Sequence, residues 1–548
     1  MITLGITLIA TLASVVPQQV ERGADDGFEN LIVATTGPVA IRAGMDAMLS
    51  GGTAADAALT TALAQIVLAA GSWVSFAGRM TVVYYDAETE TLHSLNANYD
   101  VPREEKDPLT IPRQGTPSGR TVLVPGFMAG VEALHRRFGK KELADIFAPA
   151  IRLAEDGFVL DRGMARLMAS KHSVLTRLEE SRRIFMKESG EAYREGERFR
   201  QPVLAATLRN VAKQGAAYMY RGDWARHFVA AVRAEGGQIT LDDLEQYEVR
   251  WETPLATTFR EYRVHGLRPP NRGGPLALLA LNFLGGGELR ELGHYTQSVE
   301  ALVQIVRAEQ LPRVLFSPRL RQAVESHLSG VDLTEDYWSP EVALKLRRLM
   351  EGPEWKKIVA ETRGEGPGKE EHSDAIVARD SAGNVLAMIH TINTGGWGTT
   401  GLFVDGVSIP DSAAFQQSAM QAVGPGGRLP DHGAPIIVTK EGRPVHACSA
   451  TGSGNFTAVW QNLINVLEYG MSPQAAADQP NIYAASIQRG ELANELVRGL
   501  SKVGLEVRVV ERHRGSDQGY WVGLSIDPET GRAIGGKIRQ LDGIALGR

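Results

Sequence analysis

The chain of 548 residues contains a single cysteine, Cys448. One cysteine excludes an intrachain disulfide and a site built from several thiolates, and the strand-like run 444–448 around it predicts a place in the core. An excess of positive charge is lacking as well. The 58 Lys and Arg residues are outnumbered by 64 Asp and Glu, the net charge is −6, and no basic block interrupts the sequence. Nucleic acid is therefore not predicted as a partner.

Several catalytic motifs are also missing. There is no Gly-x-Ser-x-Gly elbow of an α/β-hydrolase and no His-Glu-x-x-His helix of a zinc hydrolase. Gly285–Gly287 has neither a correctly spaced third glycine nor a P-loop lysine, so it is read as a loop. His390, His432 and His446 lack metal-ligand spacing and are interpreted as solvated or core residues. No metal or organic cofactor is predicted.

Long hydrophobic runs are absent except at the start of the chain. Residues 1–17 are apolar, and the segment 1–22 has a length typical of a signal peptide, but no Lys or Arg precedes it and no Ala-x-Ala site follows. We expect export to the periplasm or the medium. The alternative is a cytoplasmic protein, in which this segment is a first core strand or results from a misplaced start codon. No other stretch predicts a membrane span.

The sequence does contain enough apolar residues for a large core, since 43% of the chain is hydrophobic. Apolar spacing predicts helices over 40–49, 54–70, 126–138, 143–155, 201–214, 222–235, 275–283 and 457–467. Hairpins are predicted from 80–85 with 91–95, from 376–379 with 385–392, and from 435–438 with 444–449. The region 28–372 thus reads as helix-rich and the region 373–548 as richer in short strands.

The boundary between these regions is the most informative part of the chain. A charged, glycine-rich run, 363–371, leads through His372 to Ser373, which opens a strand. A linker that stops at a hydroxyl residue is what a self-cleaving amidohydrolase needs. Cutting between His372 and Ser373 would leave a nucleophile with its own free amine beside it.

Five motifs in order carry a family resemblance: Ser50–Ala58 (SGGTAADAA), Val124–Gly130 (VPGFMAG), Ala148–Gly157 (APAIRLAEDG), Gly383-Asn384 with Thr391–Asn393, and Glu468–Ala476 (EYGMSPQAA). Through them the chain resembles the γ-glutamyltransferase family of N-terminal-nucleophile hydrolases from about residue 30 to about residue 530. The resemblance implies an α/β fold, a four-layer αββα sandwich in which helices cover two stacked antiparallel sheets. It also implies a precursor whose two self-cleaved fragments, 28–372 and 373–548, stay together.

The resemblance implies the nucleophile as well. Ser373 falls where the family has a threonine, Thr391 lies eighteen residues further on where the family keeps a second hydroxyl, and Asn393 also matches. Ser373 Oγ would attack an amide carbonyl while its α-amine, with a reference pKa of about 7.7 to 8, takes the proton. Thr391 would hold the Ser373 hydroxyl in line.

The family's two oxyanion glycines fall at Thr451 and Gly452. Converging N–H donors in such a loop stabilise the tetrahedral intermediate, and losing one costs about 3 to 4 kcal/mol. A threonine at position 451 is acceptable only with a negative φ. The alternative interpretation is an ordinary turn before a helix.

Substrate recognition departs from the family pattern. The carboxylate-binding arginine falls at Asn98, the amine-binding aspartate at Ala414, and the paired serines at Asp431 and His432. We therefore expect a small-molecule amide other than glutathione as the acyl donor. Three residues near these positions are candidates to bind it together with Asn98 and His432: Arg103, Asp411 and Asp431.

Two functions from different classes remain open at this point. The leading one is an amidohydrolase or acyltransferase working through a Ser373 acyl-ester. The alternative is an uncleaved, catalytically inactive homologue that serves as a binding or scaffold protein. The change from threonine to serine and the altered pocket are what keep the second one open.

Overall fold

The computed structural model describes residues 27–287, 289–361, 373–483, 486–488, 490–505, 507–511 and 518–548. The apolar segment 1–22 and His372 lie outside the described residues. Every helix within these ranges is too short or too polar to serve as a membrane span.

Within these ranges the strands, in chain order, are β1 (Leu31–Ala34), β2 (Arg79–Asp86), β3 (Thr91–Ala97), β4 (Phe158–Val159), β5 (Arg198–Phe199), β6 (Arg250–Glu252), β7 (Leu255–Phe259), β8 (Tyr262–Gly266), β9 (Asp374–Arg379), β10 (Val385–Thr391), β11 (Phe403–Val404), β12 (Val407–Ser408), β13 (Ile436–Lys440), β14 (Arg443–Thr451), β15 (Ser486–Gln488), β16 (Arg508–Val510), β17 (Tyr520–Ile526), β18 (Ala533–Lys537) and β19 (Ala545–Gly547).

The α-helices of the same ranges are α1 (Pro38–Leu49), α2 (Ala54–Leu68), α3 (Phe127–Phe138), α4 (Leu143–Asp156), α5 (Arg162–Ser170), α6 (His172–Leu175), α7 (Glu179–Phe185), α8 (Pro202–Gln214), α9 (Ala217–Tyr220), α10 (Asp223–Ala234), α11 (Leu241–Glu245), α12 (Gly273–Gly285), α13 (Val299–Ala308), α14 (Leu311–Phe316), α15 (Pro318–His327), α16 (Pro340–Glu351), α17 (Glu354–Glu361), α18 (Gln417–Val423), α19 (Asn455–Leu467), α20 (Pro473–Ala477) and α21 (Asn494–Lys502). Short 3₁₀ turns lie at Pro108–Thr110, Gly119–Thr121 and Ser412–Phe415.

Two large antiparallel sheets form the centre of the molecule. One has seven strands in the order β19-β1-β9-β10-β2-β3-β6, and the other has six in the order β18-β17-β14-β13-β8-β7. Strands β9 and β10 are neighbours in the middle of the first sheet, with Arg379 opposite Val385 and Asp374 opposite His390. The hairpin that the sequence predicts is therefore present, in a position where neither strand is an edge.

Side-chain alternation along the strands builds four layers. In β9, Ala375 and Val377 pack between the two sheets, whereas Ile376 and Ala378 face the first helical layer. That layer includes α2, α3, α4 and α8, and a second layer including α12, α13 and α19 covers the other sheet. The predicted αββα sandwich is confirmed.

Helix α2 shows how local chemistry fits this architecture. Thr53 and Asp56 form a reciprocal capping box at its start, and 14 of its 15 residues are buried. The Asp380 carboxylate, from the turn between β9 and β10, accepts a hydrogen bond of 2.9 Å from the Ala54 N–H. The N-terminus of α2 is thus joined to the central hairpin.

The helix-rich and strand-rich regions interleave in space. The first sheet takes β1, β2, β3 and β6 from before residue 373 and β9, β10 and β19 from after it. Strands β7 and β8 were not predicted from the sequence, because helical periodicity dominates their surroundings, yet they complete the second sheet. The core position predicted for Cys448 is confirmed, and burial raises the pKa of its thiol to about 12.

Candidate active site

Ser373 lies immediately before β9 and is half-buried. Its Oγ donates a hydrogen bond of 2.8 Å to Oγ1 of Thr391, the last residue of β10. Since Asp374 pairs with His390, continuing the antiparallel register by one residue brings Ser373 directly opposite Thr391. The Thr391 oxygen also accepts a hydrogen bond of 2.9 Å from the Asn393 N–H. The three residues that the sequence grouped by spacing are therefore in contact.

Strand alternation indicates which way the hydroxyls face. Ser373 is two residues before Ala375, which packs between the sheets, so its side chain lies on that face. In the opposite sheet Ala447 packs in the same space, which puts Ser449 and Thr451 on the corresponding face of β14. The predicted nucleophile and the predicted oxyanion residue thus face the same intersheet space.

The loop after β14 has the backbone geometry that the sequence analysis required. Thr451 ends the strand and is not among the residues of positive φ, whereas Gly452 has a φ of +83°. Helix α19 starts three residues after Gly452, and the Asn455 N–H donates to the Gly452 carbonyl at 3.1 Å. A strand end followed closely by a helix N-terminus is a suitable place to bind an anionic oxygen.

Two hydroxyls on this strand are buried without a partner. Within the described part of the chain, Ser449 Oγ and Thr451 Oγ1 make no hydrogen bond, and both residues are fully buried. An unpaired buried hydroxyl costs free energy, so such groups are usually associated with water or a ligand. Both lie on the face of β14 that is directed at the intersheet space.

A buried ion pair holds the segment 431–433 against the first sheet, at the end that carries Thr391. The guanidinium of Arg79, which pairs with Thr391 across the strands, contacts the Asp431 carboxylate. That carboxylate also accepts from Thr81 Oγ1 at 2.9 Å and from the Gly433 N–H at 2.8 Å. Both charged side chains are almost completely buried, so each needs the opposite charge of the other to offset the cost of its desolvation.

The close approach of this segment to β10 explains why residue 433 is a glycine. A Cβ at Gly433 would lie 2.5 Å from Cγ2 of Ile389 on β10. Only glycine therefore lets the segment 431–433 pack against the strand that ends at Thr391. The Asp431 carboxylate makes its hydrogen bonds and its ion pair with the protein itself.

Asp374, next to Ser373, carries a network that the sequence analysis did not single out. Its carboxylate accepts from the hydroxyls of Thr35 at 2.9 Å and Thr36 at 2.7 Å, and from the Trp73 indole N–H at 3.1 Å. Burial raises the pKa of this carboxyl to about 6, although these three donors act against the rise. The Trp73 carbonyl in turn accepts from the N–H of Ile392, beyond β10. No sequence motif marks this network because its members are far apart in the chain.

Asp411 lies in the loop that follows β12. Its side chain is fully buried and accepts from Thr394 Oγ1 at 2.8 Å, from the Thr399 N–H at 2.9 Å and from Thr399 Oγ1 at 2.6 Å. The carboxylate thereby holds the loop 394–399 that leaves the candidate site.

Asn98 and Arg103 lie apart from this group. Asn98 is buried, its Nδ2 donates to the Leu429 carbonyl at 2.8 Å, and its Oδ1 accepts from the Tyr99 N–H at 2.8 Å. The Arg103 side chain is 50% exposed and lies 3.9 Å from the Asp243 carboxylate. The structure therefore does not bring these two residues together with Ser373 through any direct hydrogen bond.

A wide cleft runs beside these elements. It is lined by Asn393, His432, Ser453 and Asn455, together with rings that sequence reasoning missed, Phe316 and Phe456. Ser373, Thr391, Thr451 and Gly452 are not among its lining residues, and neither are Asn98, Arg103, Asp411 and Asp431. Asn393, whose N–H donates to the Thr391 hydroxyl, is the predicted catalytic residue that lines it. Of the residues predicted to bind substrate, His432 is the one that lines the cleft.

Two stacked antiparallel sheets between helical layers are the fold expected of an N-terminal-nucleophile hydrolase. The solved structure of a cephalosporin acylase from Bacillus halodurans has the same fold, with a TM-score of 0.78, 25% identity and coverage of 99% of both chains. A glutathione hydrolase proenzyme of Pseudomonas sp. (strain A14) is 31% identical over 490 residues, covering 83% of this chain and 82% of that protein. An acylase ACY 1 proenzyme of Pseudomonas sp. (strain SE83) is 28% identical over 476 residues, 82% of each chain.

The family model described as gamma-glutamyltranspeptidase matches residues 40–526. The chain belongs to this family, and it is an amidohydrolase or acyltransferase of the N-terminal-nucleophile type. Because both glutathione hydrolases and acylases are among its relatives, membership alone does not name the acyl donor.

The raised pKa of Asp374 predicts a distinct dependence of stability on pH. The folded state keeps this proton up to about pH 6, whereas the reference value is 3.8, so the folded chain binds more protons in that window. The contribution of this bound proton to the stability of the folded state is therefore present at low pH and lost as pH rises. We expect the free energy of unfolding of the wild type to fall relative to Asp374→Asn, by up to about 3 kcal/mol, between about pH 4 and about pH 6.

Urea unfolding followed by tryptophan fluorescence at several pH values measures this difference. Asp46→Asn, on the exposed side of α1, controls for the loss of one carboxylate. A constant gap between wild type and Asp374→Asn across the window would contradict the assignment of the proton to Asp374.

Proposed function

We propose that the chain is a γ-glutamyltransferase-like amidohydrolase or acyltransferase that acts through a serine acyl-ester on Ser373, after self-cleavage before that residue. The observation that carries this proposal is the 2.8 Å hydrogen bond between Ser373 Oγ and Thr391 Oγ1 at the head of a buried central strand. The acylase and proenzyme relatives support it.

Self-cleavage follows from the position of the hydroxyl. Ser373 Oγ attacks the carbonyl carbon of His372, the C–N bond breaks, and the acyl group moves from nitrogen to oxygen. Water then hydrolyses this ester, which releases a carboxylate on His372 and leaves Ser373 with a free α-amine and its hydroxyl.

Turnover repeats the same attack on an external amide. The α-amine of Ser373 takes the Oγ proton as the oxygen adds to the carbonyl, and the proton passes to the departing amine. The N–H groups of Thr451 and Gly452 stabilise the oxyanion, and Asn393 holds the Thr391 hydroxyl through its backbone N–H. Water or an amine then takes the acyl group from Ser373.

The donor is proposed to be an amide without an α-amino acid head group. Asn98, Ala414 and Asp431 stand at the positions where the resemblance implies charged or hydroxyl partners, and the Asp431 carboxylate contacts Arg79. A charged head group would therefore be desolvated without the partners that the family pattern has at these positions. His432, Arg103 and Asp411 remain proposed contributors to binding, His432 through the cleft and the others through the loops that they hold.

Replacement of Ser373 tests the proposal directly. Wild-type protein should separate on a denaturing gel into two fragments, one of which begins at Ser373 by N-terminal sequencing and intact mass. Ser373→Ala should remain one chain, because it lacks the attacking oxygen. Ser381→Ala, an exposed serine in the turn after β9, should be processed normally. A wild-type chain that stays intact on incubation would support the inactive, scaffold-type alternative instead.

Thr391 offers a second test that separates the hydroxyl from packing. Thr391→Val keeps the shape but removes the acceptor for Ser373, so we expect kcat/KM for a cleaved amide to fall by about 10- to 100-fold. Thr391→Ser should restore most of the rate. Thr439→Val, a similar change on β13, serves as control. Equal rates for the valine and serine variants would remove the Thr391 hydroxyl from the mechanism.

The donor proposal is tested with anilides that share one leaving group. Neutral acyl anilides should be cleaved with a kcat/KM at least about 10-fold above that of γ-glutamyl anilide, since each lost charge-assisted hydrogen bond costs about 1.5 to 3 kcal/mol. Initial rates of aniline release measure the comparison. If γ-glutamyl anilide is the best donor by a wide margin, the head-group argument is wrong.

A further inference from the structure

Three rings form a compact cluster on the wall of the cleft. The ring centroids of Phe316 and His432 are 5.8 Å apart, those of Phe316 and Phe456 are 6.0 Å apart, and those of His432 and Phe456 are 5.5 Å apart. The ring planes are inclined to one another by 37° to 41°. The Arg272 guanidinium lies 5.3 Å from the Phe316 centroid. All four side chains are half-buried, so each keeps some of its surface open to the cleft.

The cluster is held by the same elements as the candidate oxyanion loop. Asn455, the first residue of α19, donates from Nδ2 to the His432 carbonyl at 3.1 Å and accepts from the Phe456 N–H at 2.8 Å. The Arg272 N–H donates to the Asp431 carbonyl at 2.6 Å. The rings are therefore fixed relative to the loop 451–454 and to the ion pair beside Thr391.

Their arrangement suits a planar ligand. Inclined rings that do not stack face to face leave edges and faces available, and an added aromatic ring binds such a site by edge and offset contacts. A rigid group of partly exposed aromatic side chains inside a cleft is typical of a ligand site rather than of ordinary surface. Arg272 already lies over one ring and gives the cluster a positive rim that favours the electron-rich face of an aromatic group.

We propose that Phe316, His432 and Phe456 form an aromatic subsite that binds a ring in the acyl part of the amide substrate. This inference rests on the proposed function, because it places the ring beside a carbonyl attacked by Ser373. It narrows the substrate class to aryl-substituted acyl amides.

The kinetic test compares phenylacetyl and hexanoyl amides of one aniline leaving group. Phe316→Leu and Phe456→Leu should lower the phenylacetyl-to-hexanoyl ratio of kcat/KM by about 3- to 10-fold, since a favourable ring pair is worth about 0.5 to 1.5 kcal/mol. The hexanoyl value itself should change less than about twofold. Phe415→Leu is the matched control, because Phe415 lines the same cleft with 42% of its surface exposed and lies outside the cluster.

Three kinetic results would overturn the subsite. They are an unchanged ratio in both cluster variants, an equal fall of the ratio in Phe415→Leu, or a kcat/KM for the hexanoyl anilide that falls as much as that for the phenylacetyl anilide, which would put the ring of the leaving amine on the cluster. Direct binding separates this failure from failure of the proposed function. Phenylacetate binding to the wild-type protein, followed by ligand-observed NMR, should weaken in Phe316→Leu and Phe456→Leu even if no amide is cleaved. Binding that is absent from the wild type, or equal in all variants, would overturn the inference by itself.

Discussion

Strands β9 and β10 lie side by side in the middle of the seven-stranded sheet, and the candidate site depends on the register between them. The pairing runs from Arg379 opposite Val385 to Asp374 opposite His390, so it ends with Ser373 and Thr391 facing each other. A slip of one residue in either strand would turn the hydroxyl of that strand toward the helical layer and separate it from the other hydroxyl. Burial of alternate side chains on both faces prevents such a slip. The core between the sheets and the core under the helices each accept only one of the two alternating sets of side chains.

A second constraint is electrostatic. Arg79 and Asp431 leave water almost completely, and their mutual contact with two further hydrogen bonds to Asp431 offsets part of that cost. Because Arg79 lies opposite Thr391 in the sheet, the pair joins the distant segment 431–433 to the strand end that carries the site. The position of His432, and through it the ring cluster, depends on this buried pair.

The parts of the site that sequence alone predicted are those determined by short-range geometry. Gly383-Asn384 indicates a hairpin turn, and the family resemblance, counted back and forward from that turn, implied Ser373 and Thr391 at the ends of its two strands. The turn at Thr451 and Gly452 was likewise predictable from a strand, a glycine and a following helix. Residue spacing could not reveal that Arg79 meets Asp431 or that Phe316 meets Phe456, because those contacts depend on how the second sheet and its helices pack. Strands β7 and β8 were not predicted because helical periodicity dominates the sequence around them, and the pairing of β8 with β13 that places them in the sheet is not visible in the local pattern.

The carboxylates near Ser373 bear on which substrates the site can recognise. Asp374 accepts from Thr35, Thr36 and Trp73, Asp411 accepts from the 394–399 loop, and Asp431 contacts Arg79. Each of them is buried and supports the protein's own backbone or side chains. An ammonium group on a substrate would have to compete with these contacts at the full cost of its own desolvation. Apolar contact with Phe316, His432 and Phe456 requires no exchange of these buried ion pairs and hydrogen bonds. Aromatic contact with the three rings is therefore one means of recognition that this cleft offers, beside the charged side chains that also line it, among them Arg272, Arg307 and Glu309.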